Sequence, residues 1–377
     1  MAKVLLQNLC KIVPGKEGAE VKAVSDFNLE IADGEFVVFA GPPGSGKSSI
    51  LRMIAGLEKP SRGDILIGDH RVNDLLPRDR DVAMLFRNDV LYPAMSVYDN
   101  IGFGLKLRKF STTEIGKRVK DAAAILGIEQ SLAHRPDRLS GPERVRVALG
   151  RAIVRQPKVF LFDEPLANLD ANLRGQLRTE IRKLHQRLEA TMIYATHDQA
   201  EALMGDGVLI LNNGVTQQKD SPVAVYNAPA NLFVAGFLGR PSMNIVQGRL
   251  KQERDSLLFC ESGGGTIEAR LAAAEHPAAR EFLEKPVLLG IRPEDIEVAD
   301  VARGEESRGT FPALVDLVEP AGAETFLYVE TGAHTLVCRS RRDLKDREAG
   351  HRMRFEINLK KTHLFDPVSG RRITAEP

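Results

Sequence analysis

The chain has 377 residues, which is long for one ordinary domain, so two or three domains are expected. Lys plus Arg (52) nearly balances Asp plus Glu (51), so there is no global basic field that would favour nucleic acid as a partner. Three scattered cysteines fit a reducing cytosol without a disulfide framework or a metal site, and no apolar stretch approaches the roughly 18 residues of a membrane span.

The first part of the chain predicts strands followed by one helix. Residues 1–35 lack the apolar core of a signal peptide and predict short strands broken by turns, so we expect any work at a membrane to be done from the cytoplasmic side. The apolar run Glu35–Ala40 is typical of a buried parallel strand. A glycine-rich turn follows it, and then a helix is predicted from about Lys47 to Ala55.

The middle of the chain alternates between helices and strands. Residues from about 98 to 155 predict mostly helix, within a helical subdomain of about 88–155. Val159–Phe162 and Met192–Ala195 predict two further buried strands, with an amphipathic helix at about Ala171–Leu188 between them. This order predicts an α/β fold whose mainly parallel sheet is covered on both faces.

The sequence pattern changes near residues 238–242. Beyond this point, short alternating segments such as Thr325–Val329 and Thr335–Arg339 are separated by turns. They predict a small β barrel or sandwich. We therefore expect an α/β domain over residues 1–238 and a smaller β-rich domain over 239–377.

The glycine-rich turn fits the phosphate-loop pattern G-x-x-x-x-G-K-[ST]. The pattern and the next residue comprise Gly41, Pro42, Pro43, Gly44, Ser45, Gly46, Lys47, Ser48 and Ser49. Glycines let backbone N–H groups wrap around phosphates, and the helix that follows adds its positive N-terminal end. We expect Lys47 to reach the β- and γ-phosphates of ATP and the Ser48 hydroxyl to ligate Mg²⁺.

Two later strands are followed by candidate catalytic side chains. Asp163 and Glu164 end the strand that begins at Val159, and His197 follows the strand Met192–Ala195. Ligands bind at the carboxyl ends of parallel strands. We expect Asp163 to hold Mg²⁺ through water, Glu164 to polarise the attacking water and His197 to hydrogen-bond the γ-phosphate. The predicted catalytic residues are Lys47, Glu164 and His197.

The order of further short motifs resembles an ABC transporter ATPase. Leu139-Ser140-Gly141 precedes Asp163, and Ala167-Asn168-Leu169-Asp170 and Thr196-His197-Asp198 follow it. Three further motifs lie in the C-terminal part, at Phe233–Gly239, Gly290–Glu294 and His363–Asp366. With these motifs included, the chain is most similar to the maltose-type subgroup of carbohydrate importers. The resemblance covers essentially the whole chain.

The resemblance implies a phosphate-loop ATPase domain and an OB-like regulatory β barrel. It implies that ATP and Mg²⁺ are the cofactors and that Ser140, Gly141, Asp170 and Arg87 join the nucleotide-binding residues. It also implies a head-to-tail ATPase dimer, two transmembrane permease subunits docking near residues 87–110, and indirect work with an extracytoplasmic solute-binding protein. The resemblance further implies a peripheral subunit on the cytoplasmic face of the bacterial plasma membrane. The transported solute would be a sugar, polyol or glycerol phosphate.

Three positions depart from the family's pattern. Pro142 stands where the family has a glycine whose N–H contacts the γ-phosphate. Proline has no N–H and cannot make this contact. Glu143 follows Pro142. As a helix start the segment is favourable, because Ser140 and Glu143 predict a capping box. Arg87 replaces a glutamine and has no acceptor with which to ligate metal. The family's adenine-stacking aromatic is missing, since Phe27 is the only aromatic residue before Phe36.

Two alternatives remain open at the level of sequence. The altered signature favours a degenerate nucleotide-binding subunit that pairs with a competent ATPase in a heterodimer. The second alternative is a soluble ABC ATPase of DNA repair or translation. The C-terminal domain and the balanced charge disfavour this second alternative. The retained Lys47, Ser48, Asp163, Glu164 and His197 favour an active transporter ATPase.

Overall fold

The computed structural model describes residues 2–15, 20–87, 91–254, 256–299, 309–340 and 349–374. Two compact units divide the chain, Met1–Pro222 and Val223–Pro377. The domain boundary at 238–239 stays a prediction, and residues 88–90 of the predicted docking segment lie outside the described residues.

The first unit contains two sheets and a set of helices. Its strands are β1 (Val4–Pro14), β2 (Glu20–Ile31), β3 (Phe36–Ala40), β4 (Arg62–Ile67), β5 (His70–Arg71), β6 (Val82–Leu85), β7 (Val159–Asp163), β8 (Thr191–Thr196), β9 (Gly207–Asn212) and β10 (Val215–Asp220). Its helices are α1 (Lys47–Ala55), α2 (Val97–Leu107), α3 (Thr112–Leu126), α4 (Gly141–Ile153), α5 (Ala171–Leu188) and α6 (Gln199–Ala202).

The central sheet has the strand order β10-β9-β3-β8-β7-β6. Its strands are parallel except for β10, which pairs antiparallel with β9. Alternate residues of β3 enter opposite cores: Phe36 and Val38 pack with the side of α2–α5, and Val37 and Phe39 with the side of α1 and β1. The short apolar run is therefore a strand buried on both faces, as predicted.

The N-terminal strands are longer than the sequence suggested. The prediction of short strands over residues 1–35 was wrong, because β1 and β2 span 11 and 12 residues and pair antiparallel along their length. The pairing register shifts at three places, and Asn8 and Asp26 have positive φ angles there. These bulges interrupt the alternation that marks a strand in a sequence.

The second unit begins with two short helices, and its strands are antiparallel. Its elements are α7 (Pro222–Asn227), α8 (Leu232–Phe237), β11 (Asn244–Glu253), β12 (Ser256–Glu261), β13 (Glu268–Ala272), β14 (Pro286–Ile291), β15 (Ile296–Val298), β16 (Thr310–Pro320), β17 (Thr325–Glu330), β18 (Thr335–Ser340), β19 (Arg352–Ile357) and β20 (His363–Phe365). They form two five-stranded sheets, β13-β12-β11-β14-β20 and β15-β19-β16-β17-β18. One core that includes Phe259, Phe311 and Phe355 lies between them, and this confirms the predicted barrel-like β unit.

Candidate functional site

The phosphate loop joins β3 to α1, and its shape requires glycine at the helix start. Gly46 caps α1 with φ 98°, a left-handed conformation that costs little only for glycine. A Cβ at this position would lie 2.5 Å from the carbonyl oxygen of Ala23 on β2. The loop also accepts a hydrogen bond at Ser45 O from the N–H of Gly214. Two neighbouring segments therefore fix the loop that precedes the helix.

Lys47 is buried inside this loop. Its ammonium donates to the carbonyl oxygens of Gly41 and Pro42, each at 2.8 Å, and to Ser45 Oγ at 3.0 Å. Burial lowers the pKa of Lys47 to about 8, although the nearby carboxylates of Glu164 and Asp163 act in the opposite direction. The ammonium therefore lies in the loop that the motif assigns to phosphate.

The Ser48 hydroxyl donates a 2.6 Å hydrogen bond to Oδ1 of Asp163 at the end of β7. A hydroxyl and a carboxylate are hard oxygen ligands of the kind Mg²⁺ prefers, and Mg²⁺ usually keeps several waters and binds substrate phosphates. Within the described ranges no group of three or more His, Cys, Asp and Glu side chains could hold a metal. The oxygen chemistry of the Ser48–Asp163 pair fits a Mg²⁺ ion that phosphate and water would complete.

Glu164 directly follows β7 and is flanked by two basic side chains. Its Oε1 lies 3.2 Å from Nδ1 of His197, and its Oε2 lies 3.4 Å from the guanidinium of Arg87. Oε2 is buried and accepts no hydrogen bond from the described residues. The backbone has φ 48° and its N–H donates to Ala195 on β8. Strained backbone of this kind is common at active sites, where neighbours hold it in place.

The loop that carries His197 is held by a network absent from the sequence predictions. The buried Glu201 of α6 accepts hydrogen bonds from Thr196 Oγ1 at 2.6 Å and Tyr194 OH at 3.0 Å. Burial raises the pKa of Glu201, and these two hydrogen bonds oppose the shift. An acid four residues after a strand-end histidine was the available signal. Glu201 therefore ties α6, which follows His197, to the end of β8, which precedes it.

The predicted signature segment begins α4. Ser140 and Glu143 form the expected capping box, and Glu143 also accepts a hydrogen bond from Ser131. Pro142 lies in the first turn, where its missing N–H costs the helix nothing. Gly141 lines a groove of about 760 Å³ together with Arg87, whereas the hydrogen bonds of Ser140 stay within its own helix start.

Asp170 and Phe27 have structural contacts in this chain. The Asp170 carboxylate caps α5 by accepting from the N–H groups of Asn172 and Leu173. Phe27 is 1% exposed and packs edge-on against Phe39, so it cannot present a face to adenine. The predicted nucleotide contacts of Ser140, Gly141, Asp170 and Arg87 stay predictions.

Three family descriptions match successive parts of the chain. The ABC transporter family matches residues 24–167, the MalK OB fold domain matches 239–296, and the TOBE domain matches 289–365. These matches follow the order of the α/β unit and the β-rich unit. No helix among the described residues is long and apolar enough to cross a membrane.

Relatives resemble the chain along almost its whole length. The uncharacterized ABC transporter ATP-binding protein YcjV of Escherichia coli O157:H7 is 48% identical over 368 residues, which cover 97% of this chain and 98% of that protein. The oligosaccharides import ATP-binding protein MsmX of Bacillus subtilis strain 168 is 46% identical over 375 residues, 99% of this chain and 100% of the relative. The sn-glycerol-3-phosphate import ATP-binding protein UgpC of Chromobacterium violaceum is 44% identical over 374 residues, 99% and 96% of the two chains.

A solved structure matches the α/β part. The dimeric post-hydrolysis state of the ATP-binding cassette MJ0796, bound to ADP and Pi, has a TM-score of 0.52 and 30% sequence identity. The match covers 58% of this chain and 98% of the cassette. It confirms the phosphate-loop ATPase fold of the first unit.

Proposed function

This chain belongs to the ABC transporter ATP-binding proteins, and we propose that it binds and hydrolyses ATP to drive import of a carbohydrate-class solute. The observation that carries the proposal is the meeting of Lys47, the Ser48–Asp163 pair and the Glu164–His197 pair near the carboxyl ends of neighbouring parallel strands. This is the arrangement that phosphoryl transfer to water requires.

Each side chain has one task in the proposed hydrolysis. Lys47 neutralises charge on the β- and γ-phosphates, while the residues Gly41–Ser49 hold the phosphates through backbone N–H groups. A Mg²⁺ ion held by Ser48 and Asp163 would neutralise charge that develops on the phosphate oxygens. Glu164 accepts a proton from the attacking water, and His197 fixes the carboxylate and hydrogen-bonds the γ-phosphate.

The proposed solutes are sugars, polyols and glycerol phosphate. MsmX and UgpC, which the chain matches along nearly its full length, are named as importers of oligosaccharides and of sn-glycerol 3-phosphate. The C-terminal unit matches the MalK OB fold and TOBE domains, as the resemblance to the maltose-type subgroup implies.

The proposed partners are a second ATPase subunit, two permease subunits and, through them, an extracytoplasmic solute-binding protein; nucleic acid is not among them. The dimeric state of the cassette MJ0796 supports the first. The groove of about 760 Å³ supports the second, since Arg87, Leu91 and Pro93 of the predicted docking segment line it. We place the subunit at the cytoplasmic face of the plasma membrane.

The test is ATP-dependent uptake by the reconstituted importer. The chain is assembled in proteoliposomes with its permease pair and solute-binding protein, and oligosaccharides, polyols and glycerol 3-phosphate are supplied in turn. We expect one solute of this class to stimulate both uptake and ATP hydrolysis, and Lys47→Ala to abolish both. Uptake that continues in the Lys47→Ala assembly would refute the proposal, as would a fully assembled importer that none of these solutes stimulates.

A further inference from the structure

The C-terminal unit contains a second cavity, far in sequence from the phosphate loop. Its volume is about 470 Å³, enough for a small metabolite. One wall is the 3-10 turn Pro277–Phe282, and the other is the segment 366–374 that follows β20. Arg371 and Arg372 lie on the second wall, and Phe282 and Glu281 on the first.

Arg372 is the most informative residue of this cavity. Its Nε is buried and has no hydrogen-bond acceptor among the described residues. A buried donor without an acceptor costs free energy, and the arginine that carries this donor lines the cavity. Neither Arg371 nor Arg372 forms an ion pair with any residue that the structure describes.

The surroundings of Arg372 are electropositive. Burial, and after it the charges of three basic neighbours, Arg372, Arg292 and His276, together lower the pKa of His363 to about 4. Among the residues that the structure describes, no carboxylate opposes these basic neighbours at His363. The field at this wall therefore favours a bound anion.

Asp366, on the same wall as the arginines, is already engaged in hydrogen bonds. Asp366 accepts hydrogen bonds from the N–H groups of Val368 and Ser369 and from the Ser369 hydroxyl, and these bonds lower its pKa. The Asp366 carboxylate therefore stabilises the turn that it begins and forms no ion pair with Arg371 or Arg372. The acid on the opposite wall, Glu281, is exposed and can accept hydrogen bonds from hydroxyl groups.

The backbone that carries the two arginines is fixed. Gly370 donates to the Asp366 carbonyl, Arg372 donates to Ala230 and Ile373 donates to Leu364, at 2.7–2.9 Å. The backbone beneath the two arginines is therefore ordered, and less entropy is lost on binding than from a free loop.

We propose that this cavity binds a phosphate monoester of a small sugar or polyol, with the phosphate against Arg371 and Arg372. Guanidinium groups hold phosphate oxygens through paired charge-assisted hydrogen bonds. The hydroxyl groups of the ligand face Glu281, and its carbon skeleton packs on Phe282. This binding is independent of the ATP site and of the transported solute.

Isothermal titration of the full chain tests the proposal. All variants carry Lys47→Ala, so that phosphate held by the ATP loop does not contribute. The probes are glucose 6-phosphate, glucose, inorganic phosphate and citrate. We expect glucose 6-phosphate to bind more tightly than the other three, and Arg372→Gln or Arg371→Gln to weaken it about tenfold or more. Lys360→Gln removes an exposed cation of the same unit outside the cavity and is expected to leave binding unchanged.

The same titrations can overturn the proposal. Equal affinity for glucose 6-phosphate in the Arg371, Arg372 and Lys360 variants would do so, as would the absence of binding up to about 10 mM. Equal affinity for glucose or citrate would refute the phosphate ester, and equal affinity for inorganic phosphate would refute the polyol. Arg371 is exposed, so its replacement leaves the half-buried Arg372 in place. Arg372→Lys retains the positive charge, and we expect this variant to bind glucose 6-phosphate with intermediate affinity.

Discussion

The guanidinium of Arg87 lies 3.4 Å from Oε2 of Glu164, so a cation stands beside the carboxylate assigned to polarise the attacking water. The Arg87 side chain is 57% exposed, whereas that of Glu164 is 12% exposed. A pair of this kind contributes only ~0.2–1 kcal/mol because solvent screens it. Arg87 therefore biases the position of the Glu164 carboxylate without holding it rigidly.

We expect Arg87→Gln to raise kcat for ATP hydrolysis. Loss of the pair frees the Glu164 carboxylate to turn towards the attacking water, and ~0.2–1 kcal/mol corresponds to about a 1.4- to 5-fold change in rate. Glutamine also supplies a carbonyl oxygen that arginine lacks. Steady-state phosphate release is the measurement, with Arg144→Gln as the control because Arg144 lines the same groove and does not pair with Glu164. A fall in kcat of tenfold or more would show that Arg87 stabilises the transition state instead.

Pro142 is expected to slow the chain when it acts alone as a homodimer. Both composite sites would face a signature without one N–H donor, and a hydrogen bond to a charged group contributes ~1.5–3 kcal/mol, about 10- to 150-fold in rate. Pro142→Gly and Pro142→Ala both restore the N–H and should both raise phosphate release at saturating Mg-ATP. Adding Glu143→Gln should contribute little more, because glutamine can still complete the capping box. If the wild type releases phosphate as fast as these variants, another group supplies the hydrogen-bond donor to the γ-phosphate.

The capping box gives the stability of the protein a pH dependence. The N–H of Ser140 and then its hydroxyl hydrogen-bond the Glu143 carboxylate and lower its pKa. A group with a lowered folded-state pKa stabilises the fold above its unfolded pKa, and this stabilisation is lost as the pH falls through the folded pKa. In urea unfolding, the difference between wild type and Glu143→Gln should therefore be present at about pH 7 and should shrink towards about pH 4. A difference that stays constant over this range would contradict the assignment.

Local features of the site could be predicted from the sequence, whereas contacts between distant segments could not. The bounds of α1 and the Ser140–Glu143 capping box depend on neighbouring residues, and both are as predicted. The approach of Arg87 to Glu164 depends on how β6 lies beside β7. The bonds of Lys47 to the carbonyl oxygens of Gly41 and Pro42 depend on how the phosphate loop folds back over the side chain. Glycine and capping preferences are visible in a sequence, but register and side-chain direction across a sheet are not.

Glu201 is expected to act as a positioning residue for His197. Glu201→Ala leaves the buried Tyr194 hydroxyl without its acceptor, which should cost ~1–3 kcal/mol in the free energy of unfolding. The turn carrying His197 should also loosen, so kcat should fall while the KM for ATP changes little. Glu201→Gln keeps an acceptor and should recover much of both properties. Unfolding by urea and steady-state kinetics on the three proteins are the measurements; an alanine variant with normal kcat would remove the positioning role.

Glu164→Gln provides the most direct test of the account. The wild type and the variant are mixed with the same Mg-ATP, and bound nucleotide and released phosphate are measured in one turnover. The amide can still accept a hydrogen bond but cannot take a proton, so ATP should bind about as well while phosphate release falls by about 10²- to 10⁴-fold. Phosphate release at the wild-type rate by Glu164→Gln, with ATP bound, would contradict the assignment of Glu164 and with it the proposed hydrolytic site.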